Sequence, residues 1–392
     1  MDPALDQPRW VGVGRSVDAA PRAAAEQAMT QALAGRSAAL VVLFASEAMD
    51  LPVLVARAYE LAGDAPLIGC STAGEIATGG PGDAGVVAVA LGGPGFRVAT
   101  TAVTGVAART RQAGAEAAAC VGDVVEAPHR VLLLLTDGLA GDQQEIVRGA
   151  YGVAGAGVPL VGGCAGDDLR MTATHQFHDG RVLQDAVVAA AVGSDAPLGI
   201  GVRHGWRPVD QGMLVTASGV NRVLELDDQP ALDVYLDRLQ APAEARLDPE
   251  AFTRFALTHP LGMNRRTGEE QVRFIAGADF EHRALVTIAD VPQGGLVWLM
   301  EGDDESVLAA TDAACADALE PLDGELPKGL LVFDCIARRG VLGDAGIQDE
   351  VDRVAAAAPG APVAGFYTYG EIARTHGVSG FHNQTLVVLA LG

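Results

Sequence analysis

The sequence predicts an α/β protein of two domains, built from related strand-helix-strand-turn-strand units with mixed sheets. Three observations predict it. The twelve residues PLIGCSTAGEIA, Pro66 to Ala77, return as PVAGFYTYGEIA, Pro362 to Ala373, so the chain holds a duplicated unit. A looser third copy, PLVGGCAGDDL from Pro159 to Leu169, places Gly166, Asp167 and Asp168 where the others have Gly-Glu. Apolar runs stand before and after every copy, as buried strands require.

The elements follow in order. The leading runs are ALVVLFAS (Ala39 to Ser46), RVLLLLTDG (Arg130 to Gly138) and GLLVFDCIA (Gly329 to Ala337). Between each run and its repeat lies an Ala-rich stretch of helical spacing, such as Leu51, Leu54, Val55, Ala58, Tyr59 and Ala62. That spacing puts the apolar residues on one face of a helix. The repeat itself supplies a second strand and a glycine turn. A closing run ends each unit: VVAVAL (Val86 to Leu91), VVAAAV (Val187 to Val192) and LVVLAL (Leu386 to Leu391). Right-handed crossovers are the default for the parallel pairs.

After the second unit the pattern changes. A helix is expected near Gln229, with Pro230 in its first turn and Asp227 or Asp228 as its cap. The stretch Pro242 to Pro249 is polar and bounded by prolines. FALTHPLGMN and the run from Val272 to Met300 are punctuated by Gly and Pro at short intervals, which predicts antiparallel strands. These features divide the chain into a lead-in over 1–35, an N-terminal α/β domain over 36–222, and a C-terminal domain over 223–392 that contains the third unit.

Composition narrows the function classes. The 392 residues are 49% hydrophobic and 20% charged, enough apolar content for a substantial core. A formal net charge of −23 opposes binding to nucleic acid or to an anionic membrane surface. Lys328 is the only lysine and follows Pro327, so neither a P-loop nor a Schiff base is expected. MDPALDQPRWVG lacks the basic and apolar pattern of a leader, and no run approaches the roughly 18 apolar residues of a membrane span. The expected location is cytoplasmic. Five scattered cysteines without a CxxC pair predict reduced thiols, and they argue against structural zinc.

Several motifs together resemble the FIST family: GCSTAGEI (Gly69 to Ile76), GGCAGDD (Gly162 to Asp168), HGWRP (His204 to Pro208), ELDDQPALDVY (Glu225 to Tyr235), HPLG (His259 to Gly262), GFYTYGEI (Gly365 to Ile372) and FHNQT (Phe381 to Thr385). The resemblance runs from about residue 36 to the end, in the order of that family's N-terminal and C-terminal domains. One position departs: Gln229 stands where the family usually has glycine. The resemblance implies an intracellular sensory module of bacterial signal transduction that binds small ligands such as amino acids. A subset of the family resembles haem-binding nitric-oxide sensors. With FIST-like sequence filling nearly the whole chain, the output is expected on a separate protein, such as a histidine kinase or a cyclic-dinucleotide enzyme.

The candidate ligand residues are Ser71, Thr72, Glu75, Asp167, Asp168, Arg273, Tyr369, Glu371 and Asn383. Facing units could bring Glu75 and Glu371 to one cleft with the two aspartates, a setting for an amine or guanidinium. The competing reading is that each glutamate ties down its own turn by accepting backbone amides. Arg273, a cation in an apolar run, is expected to meet a carboxylate, from the protein or from an amino-acid-like ligand. A haem alternative rests on His204, His259 or His382, none in a CxxCH context. His175 and His178 flank Gln176 and Phe177 just before Asp179-Gly180, a hairpin turn signal, so an exposed turn is expected ahead of a metal site.

No catalytic residue is expected. GCSTAG misses the nucleophile elbow because Ala73 stands where the second glycine belongs. Cys70 and Cys164, in similar places in two units, read as inert buried thiols. GVGRSV and GVAGAG lack the spacing and the acid of a dinucleotide site. An enzyme using the paired acidic turns, with Asp167 or Glu371 as general base, is a further alternative.

Overall fold

The computed structural model of the chain describes residues 8–219, 221–264, 270–375 and 380–392. Met1 to Gln7, part of the segment read for a leader, lie outside them.

The first unit runs β1 (Trp10–Ser16), α1 (Pro21–Leu33), β2 (Leu40–Ser46), α2 (Leu51–Ala62), β3 (Leu67–Thr72), the hairpin β4 (Glu75–Ala77) and β5 (Gly80–Gly82), and β6 (Val86–Gly92). The second repeats the order: β7 (Phe96–Thr104), α3 (Thr110–Ala117), β8 (His129–Thr136), α4 (Gln143–Ala154), β9 (Leu160–Cys164), the hairpin β10 (Gln176–His178) and β11 (Arg181–Leu183), and β12 (Ala186–Ser194). The third opens with β13 (Leu198–Arg203) and is then interrupted by an insert.

The insert holds β14 (Arg207–Pro208), β15 (Met213–Gly219), β16 (Arg222–Leu226), β17 (Gln229–Pro230), α5 (Ala231–Arg238), α6 (Pro249–Leu257), β18 (Leu261–Asn264), β19 (Glu270–Arg273), β20 (Ile275–Asp279), β21 (Ala284–Thr287) and β22 (Leu296–Glu301). The third unit resumes with α7 (Asp304–Leu319), β23 (Gly329–Cys335), α8 (Ile336–Ala357), β24 (Val363–Thr368), the pair β25 (Glu371–Arg374) and β26 (Phe381–His382), and β27 (Leu386–Leu391). Helix α8 breaks at Gly343.

Each unit thus contains the expected strand-helix-strand-turn-strand, preceded by a strand and helix that the repeat does not mark. The glycines of GVGRSV serve this opening pair. A Cβ at Gly12 or Gly14 would stand 2.0 Å from the carbonyl of Ala32 or Ala28, so the bare strand lets α1 lie on β1. Within each unit the two repeat strands pair in parallel, β2 with β3, β8 with β9 and β23 with β24, and the closing strand pairs antiparallel to the first. The sheets are mixed, as the sequence predicts.

The three sheets exchange their hairpins in a ring. The first is ordered β1-β6-β2-β3-β10-β11, the second β26-β25-β9-β8-β12-β7, and the third β13-β27-β23-β24-β4-β5. Each unit gives the hairpin after its glycine turn to another unit's sheet. Phe44, Phe333 and Phe366 meet in the shared core, with ring centroids 4.8 to 6.4 Å apart, among Leu133, Leu135, Val188 and Leu389. The opposite face of each sheet packs on its own helices.

The insert builds an antiparallel sheet around its own core of Met213, Tyr235, Phe252 and Leu299. Here the structure corrects the expected cap. Asp227 and Asp228 have φ of 49° and 61° and form the hairpin turn between β16 and β17, while Pro230 occupies the cap position of α5. Two successive left-handed residues make this a type I′ turn, which suits the strand twist. The start of FALTHPLGMN is likewise the end of α6, and only Leu261–Asn264 is strand.

Candidate functional site

The carboxyl ends of β3, β9 and β24 meet, and the repeated turns lie there. Ser71 Oγ donates to the Gly166 carbonyl (2.8 Å) and accepts from His175 N (2.9 Å). Ala73 N donates to Tyr367 O (3.1 Å), and Cys164 N to Gly370 O (2.8 Å). Gly74 has φ of 114°, and a Cβ there would lie 2.2 Å from Arg339 Nη1, so the turn admits no side chain. Arg339 donates to Ala73 O (3.0 Å) and pairs with Asp83 (2.7 Å), fixing the first unit's hairpin on α8.

The two glutamates make the same clasp. Thr72 Oγ1 donates to Glu75 Oε1 (2.6 Å), and Gly85 N to Oε2 (3.1 Å). Thr368 Oγ1 donates to Glu371 Oε1 (2.5 Å), and Thr385 N and Oγ1 to Oε2 (3.1 and 2.8 Å). Each carboxyl ties the end of the second parallel strand to the residue before the closing strand. Burial pushes Glu75 up to about 8 and Glu371 to about 7, against the pull of these donors. The two do not share partners.

In the second unit another residue makes the clasp. Thr174 Oγ1 donates to Asp137 Oδ1 (2.7 Å), and Asp185 N donates to Oδ2 (2.9 Å). Asp185 precedes β12 as Gly85 precedes β6 and Thr385 precedes β27. Asp137, in the run LLLLTDG, is a residue that repeat matching passes over, because its carboxylate comes from the end of the first parallel strand. The signal was the missing threonine: Ala165 stands where Thr72 and Thr368 stand.

With the clasp moved, Asp167 and Asp168 take other roles. Asp167 is buried and accepts from Met171 N (3.0 Å), Thr172 N (2.7 Å), Thr172 Oγ1 (3.1 Å) and Ala173 N (3.1 Å), and from the Tyr369 hydroxyl. Burial alone would raise its pKa, but these donors hold it down at about 2. Tyr369 Oη also accepts from Leu169 N (2.6 Å) and Asp167 N (3.2 Å). Asp168, Leu169 and Met171 have positive φ and face solvent, a strained loop held by Asp167 and Tyr369.

The remaining candidates lie where the insert meets the third unit. Strand β19 runs beside β26, and Val272 packs with Tyr367 and Trp206. The buried Arg273 donates to the carbonyls of Asp290 (3.3 Å) and Val272 (3.2 Å) and to Gln271 Oε1 (3.1 Å). Asn383 is buried, and its Nδ2 donates to His382 O (2.9 Å). Gln384 Nε2 donates to Leu257 O (2.7 Å), and Gln144 Oε1 accepts from Phe381 N (3.4 Å). Each of these bonds fixes which end of the amide is oxygen. Asn383 Oδ1, Gln384 Oε1 and Gln144 Nε2 are then left buried without a hydrogen-bond partner. Sequence reasoning missed both glutamines; Gln384 sits in the quoted FHNQT motif.

The histidines are dispersed. His204 Nδ1 accepts from Trp206 N (3.0 Å), and burial with Arg338 and Arg203 nearby lowers its pKa to about 4. His259 stacks on Phe255 with ring centroids 4.2 Å apart, its Nδ1 facing Thr258 Oγ1 and Phe255 O. His382 Nε2 faces Ala373 O (2.9 Å). His175 and His178 lie before and at the end of β10, the first arm of the expected hairpin, whose turn residues Asp179 and Gly180 both have positive φ. The five cysteines are free and buried. By register, Cys164 corresponds to Ser71, whereas Cys70 lies one place earlier.

Comparison with known proteins bears on both halves of the chain. The FIST N domain matches residues 39–229 and the FIST C domain matches residues 231–374. An uncharacterized protein of Methanocaldococcus jannaschii is 31% identical over 156 residues, covering 38% of this chain and 30% of that protein. The chain therefore spans under a third of that relative's length. Among the described residues, no helix is long and apolar enough to cross a membrane.

Proposed function

With both of its domains matched in order over most of its length, the chain belongs to the FIST family of signal-transduction sensor domains, and from that premise we propose that it senses an amino-acid-like metabolite at the seam between the insert and the third unit. The ligand residues are Arg273 and Asn383 from the original set, joined by Gln144 and Gln384. Ser71, Thr72, Glu75, Tyr369 and Glu371 shape the site from behind, since their polar atoms are already bonded within the protein. Asp167 and Asp168 set the loop beside Tyr369.

The observation that carries this reading is the set of buried, unpaired amide atoms on Gln144, Asn383 and Gln384. A buried polar group without a partner costs about 1–3 kcal/mol, and a ligand that supplies the missing donors and acceptor recovers that cost. Two acceptors and one donor suit the ammonium and carboxylate of an amino acid, with the Arg273 guanidinium as a further anchor. The site is a binding site and not a catalytic one. Binding signals only if the ligand prefers one placement of the insert. The receiver is a separate cytoplasmic partner, such as a histidine kinase or a cyclic-dinucleotide enzyme.

A thermal-shift panel of the common amino acids tests this. At least one should raise the midpoint in a concentration-dependent way, and Asn383→Ala with Gln144→Ala should remove the shift while leaving the protein folded. A panel without any stabilising amino acid, or a shift that survives both substitutions, would sink the proposal.

A further inference from the structure

The insert joins the third unit by two strands that lie side by side. One enters through His204, Gly205 and Trp206 into β14, and the other leaves β22 through Gly302 and Asp303 into α7. Arg207 pairs across to Glu301, and a Cβ at Gly302 would stand 2.3 Å from the Trp206 ring. Beneath them Arg338 is fully buried. Its Nη1 donates to His204 O (3.0 Å) on the inbound strand, and its Nη2 to Thr311 Oγ1 (3.0 Å) and Val307 O (3.4 Å) on α7. One guanidinium therefore staples both connections.

Two buried acids hold that guanidinium. Arg338 Nε donates to Asp334 Oδ1 (2.8 Å) and Nη2 to Glu350 Oε1, which also accepts from Thr311 Oγ1 (2.7 Å). Asp334 Oδ2 and Glu350 Oε2 are buried and have no donor, yet the two carboxyl groups face each other at hydrogen-bonding range. Two carboxylates on one guanidinium would leave an uncompensated charge in a dry core, which is prohibitive. A single proton shared between the facing oxygens removes that charge and satisfies both orphan atoms.

We propose that Asp334 and Glu350 share one proton while Arg338 staples the insert, and that opening the insert hydrates the pair and releases that proton. The position of the insert is thereby linked to pH, whatever ligand the protein senses.

Burial and the Glu350 charge hold Asp334 well above the usual carboxylate range, against the attraction of Arg338. For Glu350 burial pushes upward, but the attraction of Arg338 together with the hydrogen bonds from Asp334, Thr311 and Arg338 holds it below the usual range, so the proton rests on Asp334. The neighbouring groups do not take its place. His204 on the inbound strand is neutral, with its pKa near 4, and the Cys315 thiol on α7 is pushed up to about 12. Burial raises Cys335 on β23 and Tyr367 on β24 far from neutrality, and the Arg339 guanidinium of α8 lies over the Tyr367 ring. Glu371, beyond Asp334, titrates near neutrality but bonds Thr368 and Thr385 and neither connecting strand.

Hydrogen exchange of the amides at 204–206 and 302–306, corrected for intrinsic rates, tests the linkage between pH 5 and 9. Loss of one proton on opening makes the open fraction rise about tenfold per pH unit. Asp334→Asn keeps the shape and donates to Glu350 as the protonated acid does, so it should stay folded and make the opening independent of pH. Glu350→Gln, which leaves Asp334 ionised beside Arg338 in both states, should do the same and serves if the first variant fails to fold. Glu371→Gln should keep the slope. A pH-independent opening in the wild type, exchange only through global unfolding, or a slope unchanged in either variant of the pair overturns the proposal.

Discussion

Replacing Glu371 by glutamine should make the protein more stable at pH 8 and flatten its stability across neutral pH. Glutamine keeps the shape and can still accept from Thr385 N and meet the Thr368 hydroxyl, which donates or accepts as needed. What it removes is the ionisation. Burial raises the Glu371 carboxyl to about 7 from an ordinary 4.5. Below 4.5 the group is protonated in both states and the clasp is intact. Between 4.5 and 7 the unfolded chain sheds a proton that the folded chain keeps, so stability falls as pH rises through this window. At 1.36 kcal/mol per pH unit the loss above pH 7 is about 3 kcal/mol. Urea unfolding of wild type and variant at pH 5, 6, 7 and 8 measures it. The stability difference between the proteins should grow by about 2.5 kcal/mol from pH 5 to pH 8, since part of the loss has already occurred at pH 5. Parallel profiles would refute the burial argument, because a hydrated carboxyl would have ionised alike in both states.

Three shorter predictions follow from the other contacts. Asp137→Ala should destabilise the protein by about 1–3 kcal/mol, since it leaves Thr174 Oγ1 and Asp185 N without their acceptor; chemical denaturation checks it, and a neutral result would end the idea that Asp137 makes the second clasp. Tyr369→Phe removes the hydroxyl that serves Asp167 and Leu169, so limited proteolysis should cut the 167–173 loop faster than in the wild type; equal cutting rates would mean that the backbone alone holds the loop. Adding haem to the purified protein should give no saturable Soret band, because His204, His259 and His382 sit at separate places and each has a ring nitrogen engaged within the chain; a band lost on substituting one of them would restore the haem reading.

The repeat made the parallel pairs and closing strands legible, because a buried strand shows as an unbroken apolar run and the shared dodecamer aligned three of them. The opening strand and helix of each unit were hidden for a different reason. They carry no shared motif, and in the third unit the insert separates β13 from α7. The ring of exchanged hairpins left no trace in the sequence either, since periodicity reports which face of a strand is buried and says nothing of which sheet edge receives it. At the site, the glutamate turns were legible as carboxylates beside glycines, and the reading in which each ties down its own turn matches the bonds that they make. Asp137 escaped because a clasp is defined by what it bonds, and the same bonds are reached from a different strand. Gln144 escaped because nothing in the sequence marks a buried amide left unpaired.

The exchange also separates what is scaffold from what is free to vary. Each hairpin is an edge of another unit's sheet, so melting one unit strips a neighbour of its edge strand and exposes part of the common core. The three units are therefore bound into one cooperative body. The insert stands outside that ring with a core of its own; two adjacent strands stapled by a buried arginine connect it, and at the seam Val272 and Leu257 meet the third unit. A ligand at the seam need not deform the ring to be felt; it has only to favour one placement of the insert. The second unit also breaks the pattern, where moving the clasp to Asp137 releases Asp167 to hold a strained loop against Tyr369. Departures from the repeat thus fall in the insert and in the 167–173 loop, whereas Glu75 and Glu371 keep the same clasp. It is at these departures from the repeat that we propose the site.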